Sequence, residues 1–135
     1  MIRKRAPDKT KARSMIEAAV LEMKFIKTLK VSRESGATII RGIYENFRML
    51  GDALLLIRGK EATGLDHHTQ MINELFTLSV KTKRPISTLN NLKTLRNSIN
   101  YKGYIPALEE VKDALSIAEE CFEPILNEVN KELEK

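Results

Sequence analysis

At 135 residues and 42% hydrophobic content, the chain is long enough to bury a core and too apolar to remain disordered. Aromatics make up only 5% and tryptophan is absent, which suits aliphatic helix packing better than a β-sandwich. The net charge of +5 is unevenly laid out, with 20 Lys/Arg against 9 Asp/Glu in residues 1–105 and 3 against 9 in residues 106–135. An acidic last segment on a basic body raises the expectation of a polyanionic partner such as RNA; solvated helix faces and a basic N-terminal tail account for the same charge.

The single cysteine, Cys121, has no partner for a disulfide and sits in an apolar helical stripe, so it reads as a core thiol. The basic start Met1-Ile2-Arg3-Lys4-Arg5 is followed by no apolar stretch of secretory length. Runs such as Ala53-Leu54-Leu55-Leu56-Ile57 are too short to span a bilayer. A cytoplasmic protein with no membrane partner is expected.

Helical periodicity runs through most of the chain, and no period-2 alternation persists, so helices and no strands are expected. Residues 1–10 read as a basic tail and residues 11–135 as the folded body. From about Lys11 to Val31, Ile16, Ala19, Val20, Met23, Ile26 and Leu29 fall on one stripe. Ser32-Arg33-Glu34-Ser35-Gly36 supplies turn and capping chemistry before a second helix, where Ile40, Ile43, Tyr44, Phe47, Leu50, Leu54 and Ile57 keep register. Gly42 and Gly51 inside it each cost up to about 1 kcal/mol relative to Ala, a loss that close approach of another helix can offset.

Asp66 is placed as the N-cap of a shorter third helix that turns Met71, Ile72, Leu75, Phe76 and Ser79 inward. Lys81-Thr82-Lys83-Arg84 breaks it, and Pro85 opens the next helix, with Leu89, Leu92, Leu95 and Ile99 as its seam. After a turn at Asn100-Tyr101-Lys102-Gly103-Tyr104, Pro106 begins the final helix, whose apolar face runs from Leu108 through Val111, Leu115, Ala118, Phe122, Ile125 and Val129 to Leu133. Pro124 within it removes one backbone hydrogen bond and predicts a kink near Glu120. The fold class expected is all-α: an antiparallel up-and-down bundle of four main helices plus a short extra helical segment. The face from Leu108 to Leu133 exceeds what a short bundle needs, so part of it is expected to pack across a two-fold axis.

Neither a glycine-rich phosphate loop nor a paired-cysteine zinc pattern occurs, and no cofactor and no metal site are expected. The adjacent His67 and His68 diverge by about 100° on a helix and are poorly placed to chelate one metal. The chemically dense segment is Leu95-Arg96-Asn97-Ser98-Ile99-Asn100-Tyr101-Lys102-Gly103-Tyr104. Arg96 offers a planar fork suited to phosphate, and carboxamides and phenols can orient a ribose or a phosphodiester. In a continuous helix Tyr101 lies about 140° from Arg96, so unwinding at Lys102-Gly103 is needed to bring Tyr101 or Tyr104 back toward it. A polar helix end capped by its own Asn and Tyr side chains fits the same residues.

This pattern resembles the HEPN superfamily (higher eukaryotes and prokaryotes nucleotide-binding). Many members carry Arg, a polar residue, three further residues and then His near the start of the last helical unit of a four-helix bundle. Here Arg96, Asn97 and Ser98-Ile99-Asn100 are followed by Tyr101 where that His would stand. The stretch from Tyr44 to Leu56 is similar to the long second helix of the family, and Gly64-Leu65-Asp66-His67-His68 to the entry of its third. The likeness extends over residues 11–133.

The resemblance implies a homodimer in which two Arg motifs line one cleft, and an RNA- or nucleotide-associated role. Some members are metal-independent endoribonucleases, often toxins paired with a small nucleotidyltransferase antitoxin, and others are catalytically inactive modules. Arg96, Asn97 and Tyr101 are the catalytic candidates on this basis, and Arg96, Asn100, Lys102 and Tyr104 the phosphate or nucleotide contacts. Tyr101 leaves enzymatic activity open, because a phenol with a pKa of about 10 is a poor general base at neutral pH where imidazole, near about 6.5, is suited. The other function class that fits is a non-enzymatic helical adaptor or dimerisation protein, with the acidic last helix as its interface.

Overall fold

The computed structural model describes all 135 residues as five α-helices, one short 3-10 turn and a two-stranded sheet. Helix α1 (Lys9–Ile26) starts on Asp8, whose carboxylate accepts the Lys11 N–H at 2.9 Å. It ends five residues short of Val31, yet Leu29 and Val31 still pack on the core from the turn that follows. Helix α2 (Gly36–Ile57) buries Ile40, Ile43, Tyr44, Phe47, Leu50 and Leu54 as their spacing predicts. Helix α3 (His67–Leu75) is shorter than expected and stops before Ser79. A 3-10 turn (Ile86–Thr88) follows Pro85 and leads into α4 (Leu89–Lys102). Helix α5 (Leu108–Leu133) runs uninterrupted through Pro124.

Helix α2 is the central element and packs against each of the other four helices. The shared core is a cluster of 29 buried residues, with the Cys121 thiol among them and the Phe47 and Phe122 rings edge to face at 5.5 Å. At the far end of α2, Arg58 donates to Glu74 on α3 at 2.9 Å and to Glu132 on α5 at 2.7 Å, tying three helices together. Asn46 is fully buried and neither of its side-chain polar atoms has a partner, a feature for which packing gives no account.

One expectation is corrected by this arrangement and another is narrowed. The N-terminal residues are not a free basic tail, because β1 (Ile2–Lys4) pairs antiparallel with β2 (Lys60–Ala62), Ile2 opposite Ala62. Arg3 ion-pairs with Glu61, and Arg5 lies 3.5 Å from the same carboxylate and 3.8 Å from Asp8. These strands escaped periodicity because three residues per strand carry no alternation to detect. The apolar face of α5 is also largely consumed within the chain: Val111, Ala118, Phe122, Ile125, Val129 and Leu133 are buried, Leu115 is half-buried and Leu108 is 45% exposed. What the stripe leaves for a contact outside the chain is its N-terminal end, the exposed Leu108 and the half-buried Leu115.

The glycines of α2 allow the close approaches that their cost in helix propensity suggested. A Cβ on Gly51 would sit 2.0 Å from the Met71 carbonyl oxygen and 2.6 Å from its carbon, so the backbone of α3 rests directly on this residue. At Gly42 the clash would be with the Ile26 side chain at 2.5 Å, which can rotate away. The two substitutions should differ accordingly. Gly51→Ala is expected to lower stability by about 2–3 kcal/mol, because a helix backbone must move. Gly42→Ala should cost less, since Ala's better helix propensity offsets part of the strain. Denaturant unfolding of both variants checks this, and equal midpoints would contradict it.

Candidate functional site

Tyr44 on α2 is 2% exposed, and its ring forms a floor on which the Arg96 guanidinium from α4 rests, 4.5 Å from the ring centroid. Two further contacts fix the plane of the guanidinium. Its Nη1 donates to Asn97 Oδ1 at 2.8 Å, and its Nη2 lies 2.9 Å from His68 Nδ1 on α3. No carboxylate comes within ion-pair distance of Arg96. With five N–H donors and two of them engaged, the fork keeps hydrogen-bonding capacity for an incoming anion.

The contact with His68 fixes chemistry as well as geometry. A guanidinium only donates, so His68 Nδ1 must accept with its lone pair, and the neutral ring carries its proton on Nε2. Burial holds the His68 pKa below its ordinary value, and the neighbouring Arg48, His67 and Arg96 lower it further, against a weaker opposing pull from Glu45. His67 has the opposite arrangement. Its Nδ1 lies 2.9 Å from the Gly64 carbonyl oxygen, which can only accept, so the neutral ring carries its proton on Nδ1 and its lone pair on Nε2. The two rings stand 4.2 Å apart at 63°.

Behind this pair, Arg48 is engaged by Glu45 through two hydrogen bonds, one of them 2.9 Å from Nε to Oε2. That hydrogen bond holds the Glu45 carboxyl below its usual range, so Glu45 is already neutralised by a cation of its own helix. Burial pushes the Tyr44 phenol up, against the opposing effect of Arg96 and Arg48, so the floor of the site is a neutral phenol.

Arg96, Asn97, Tyr101, His67, His68 and Lys93 line one cleft of about 310 Å³. Tyr101 reaches it although α4 stays helical through Lys102, so the unwinding that seemed necessary is not required. Its ring is 77% exposed and long enough to extend from the neighbouring face. Asn100 lines an adjoining cleft with Arg96 and accepts from Arg41 Nε at 2.6 Å. The other two expected phosphate contacts are not brought to Arg96. Lys102 is exposed and outside the cleft, at the helix end that Gly103 terminates in left-handed conformation (φ 64°). Tyr104 lies away from Arg96, in a depression whose wall includes Arg41, and its hydroxyl donates to Glu110.

Sequence reasoning missed His68 as a partner of Arg96, and Tyr44 as its floor. Tyr44 carried the signal of a core aromatic, and 52 positions separate it from Arg96. His68 stood in the sequence as one of two adjacent rings in the first turn of a helix, and the depth of α3 against α2 is what brings it to Arg96. Neither Arg96 nor Asn97 nor Asn100 caps a helix, so the polar helix end expected as an alternative is not what these side chains build.

The protonation assignment yields a direct test. A depressed folded pKa means that the unfolded imidazole takes its proton first. Stability contributed here is therefore complete above about pH 6.5 and declines as pH falls from there toward the folded pKa. Imidazole nitrogen NMR should find neutral His68 as the Nε2–H tautomer, with a midpoint below about 6.5. Arg96→Ala, which removes one of the cations that depress it, should raise that midpoint. An Nδ1–H tautomer, or a midpoint indifferent to Arg96, would contradict the geometry.

Comparison of the chain with protein-family models, with curated proteins and with solved structures finds no match.

Proposed function

We propose that the chain is a HEPN-like protein associated with RNA or nucleotides, and that Arg96 receives a phosphate group. The observation that carries this reading is a guanidinium with no carboxylate partner, held on three sides by Tyr44, Asn97 and His68 while lining an open cleft. An arginine kept for packing would be expected to pair with an acid, as Arg58 and Arg84 do. Lys93 lines the same cleft without an acidic partner and adds a second cation for the phosphate. On this reading four of the five helices make the HEPN-like bundle and the remaining one is the extra segment.

Tyr101 and His68 are both unsuited to act as the base, and His67, whose Nε2 lone pair is free in the same cleft, is the remaining candidate. Tyr101 occupies the place of the family's histidine and is a poor base at neutral pH. His68 does not replace it, because its Nδ1 lone pair is engaged by Arg96 and its Nε2 carries the proton. A catalytically degenerate ribonuclease frame, or a toxin-type component neutralised by a nucleotidyltransferase antitoxin, both agree with such a site. The homodimer implied by the family would bring two such clefts together. Leu65, wholly exposed at the cleft rim, is an apolar contact open to it. The competing reading, a helical adaptor with no nucleotide role, draws on the exposed Leu21, Phe25 and Leu65.

Substitutions at Arg96 separate the two. Arg96→Lys keeps the charge and loses the fork, so phosphate or nucleotide binding should weaken about tenfold; Arg96→Ala should weaken it about a hundredfold. Stability should fall by only about 1 kcal/mol in the Ala variant, the worth of a stacked cation. The adaptor reading predicts no measurable anion binding in any form. Tyr101→His, which restores the family's nuclease motif, should generate metal-independent RNA cleavage if the frame is a nuclease lacking its base. Isothermal calorimetry with a nucleoside monophosphate and a labelled-RNA cleavage assay provide the readouts.

A further inference from the structure

The Arg96 cleft does not end at Arg96. Tyr44 and Arg96 are also walls of a second cleft of about 510 Å³, which contains Phe25 and Arg41. Arg41 in turn is a wall of a third, of about 350 Å³, which contains Arg33 and Tyr104. The three depressions are thus contiguous across α4, α2 and α1. Each holds at least one cation with no carboxylate in ion-pair distance: Lys93 and Arg96 in the first, Arg41 in the second, Arg33 in the third.

Each also holds one exposed aromatic ring. Tyr101 is 77% exposed, Phe25 61% and Tyr104 42%, and these are the chain's three exposed aromatic side chains. Leaving a phenylalanine ring in water on the same surface as unpaired guanidinium groups stabilises nothing within the chain itself. Alternating cations and flat apolar rings is the surface that single-stranded nucleic acid fits, with phosphates on the cations and unstacked bases on the rings. A duplex keeps its bases stacked inside and cannot use the rings.

We propose that the three clefts form one track for single-stranded RNA, with the Arg96 site as its phosphate anchor and Phe25, Tyr101 and Tyr104 as stacking platforms. The proposal rests on the reading of Arg96 as a phosphate site and extends it from a mononucleotide to a strand. The polarity of the chain bounds the track. Tyr104 is also a wall of a fourth depression lined by Glu109, Glu110 and Asp113 on the acidic α5, whose carboxylates repel a phosphate backbone and end the track at that ring. Asp66 borders the first cleft, Glu22 and the Arg48-paired Glu45 the second and Glu34 the third, so affinity depends on stacking as well as charge.

Fluorescence anisotropy with a single-stranded RNA of about eight nucleotides, a duplex of the same length and a nucleoside monophosphate tests this. The single strand should bind tighter than either the duplex or the monophosphate. Phe25→Ala should weaken single-strand binding by about 5- to 100-fold while leaving monophosphate binding unchanged. Arg33→Ala should reduce the salt slope of single-strand binding by about 0.7, the share of one phosphate contact. Leu21→Ala, a change at an exposed residue of the same helix that lines none of the three clefts, should change neither.

If Arg96→Ala abolishes binding but Phe25→Ala and Arg33→Ala do not alter it, the anchor stands and the track is overturned. Equal affinity for duplex and single strand would overturn the track as well. If no RNA or monophosphate binds at low salt, both the anchor and the track fall. Circular dichroism on each variant separates loss of a contact from loss of the fold.

Discussion

The absence of a side chain at Gly51 sets the depth at which α3 lies on α2, and the candidate site depends on that depth. The Met71 backbone occupies the space where a Cβ would be. Gly51 and Tyr44 are seven residues apart, about two turns, so they fall on nearly the same face of α2. One turn before Met71, His68 is carried by the same close contact to within 2.9 Å of Arg96, above the Tyr44 ring. A glycine that weakens the helix as an isolated element thus fixes where two helices place their functional groups. Arg48, between Tyr44 and Gly51 on that face, adds a contact from its guanidinium to the Met71 sulfur at 3.0 Å.

Electrostatics divides the molecule along the same lines. Arg3, Arg5, Arg58 and Arg84 are paired with carboxylates on other elements and serve the fold. Lys93, Arg96, Arg41 and Arg33 are without such partners and share three contiguous clefts. The arginines thus serve two ends, some neutralised inside the fold and some lining these clefts, while further lysines such as Lys81, Lys83 and Lys102 are unpaired elsewhere on the surface. The acidic α5 supplies Glu132 and Asp113 to the neutralised arginines and borders the clefts. Exposed surface pairs of this kind contribute little singly, and the arrangement matters more for where anions can dock than for stability.

Much of this was legible from the residues. The stripes of α1, α2 and α5 appear in the structure as buried faces, because aliphatic residues at helical spacing have few other ways to leave water. Arg96 and Asn97 were visible as chemistry concentrated at a helix end, and they do share a cleft with Tyr101. What stayed hidden was set by long-range geometry. The β1–β2 pair joins segments 58 residues apart through backbone groups, which leave no mark on side-chain periodicity. The face of α5 read as surplus because its apolar length was weighed against a generic bundle, whereas the long α2 covers most of it here. Lys102 and Tyr104 were grouped with Arg96 by nearness in sequence, and the left-handed turn at Gly103 sends the chain away from the cleft immediately after.

At the centre stands the claim that Arg96 is an anchored, unpaired cation kept for a phosphate. The most direct test is a crystal structure of the protein grown with a nucleoside monophosphate, with the cleft between α3 and α4 inspected. The account predicts phosphate oxygens in bidentate contact with the Arg96 guanidinium, with Tyr44 still beneath it and His68 Nδ1 still accepting from it. A monophosphate bound elsewhere with Arg96 unchanged, or an Arg96 side chain that leaves Tyr44 to pair with a carboxylate, would contradict it.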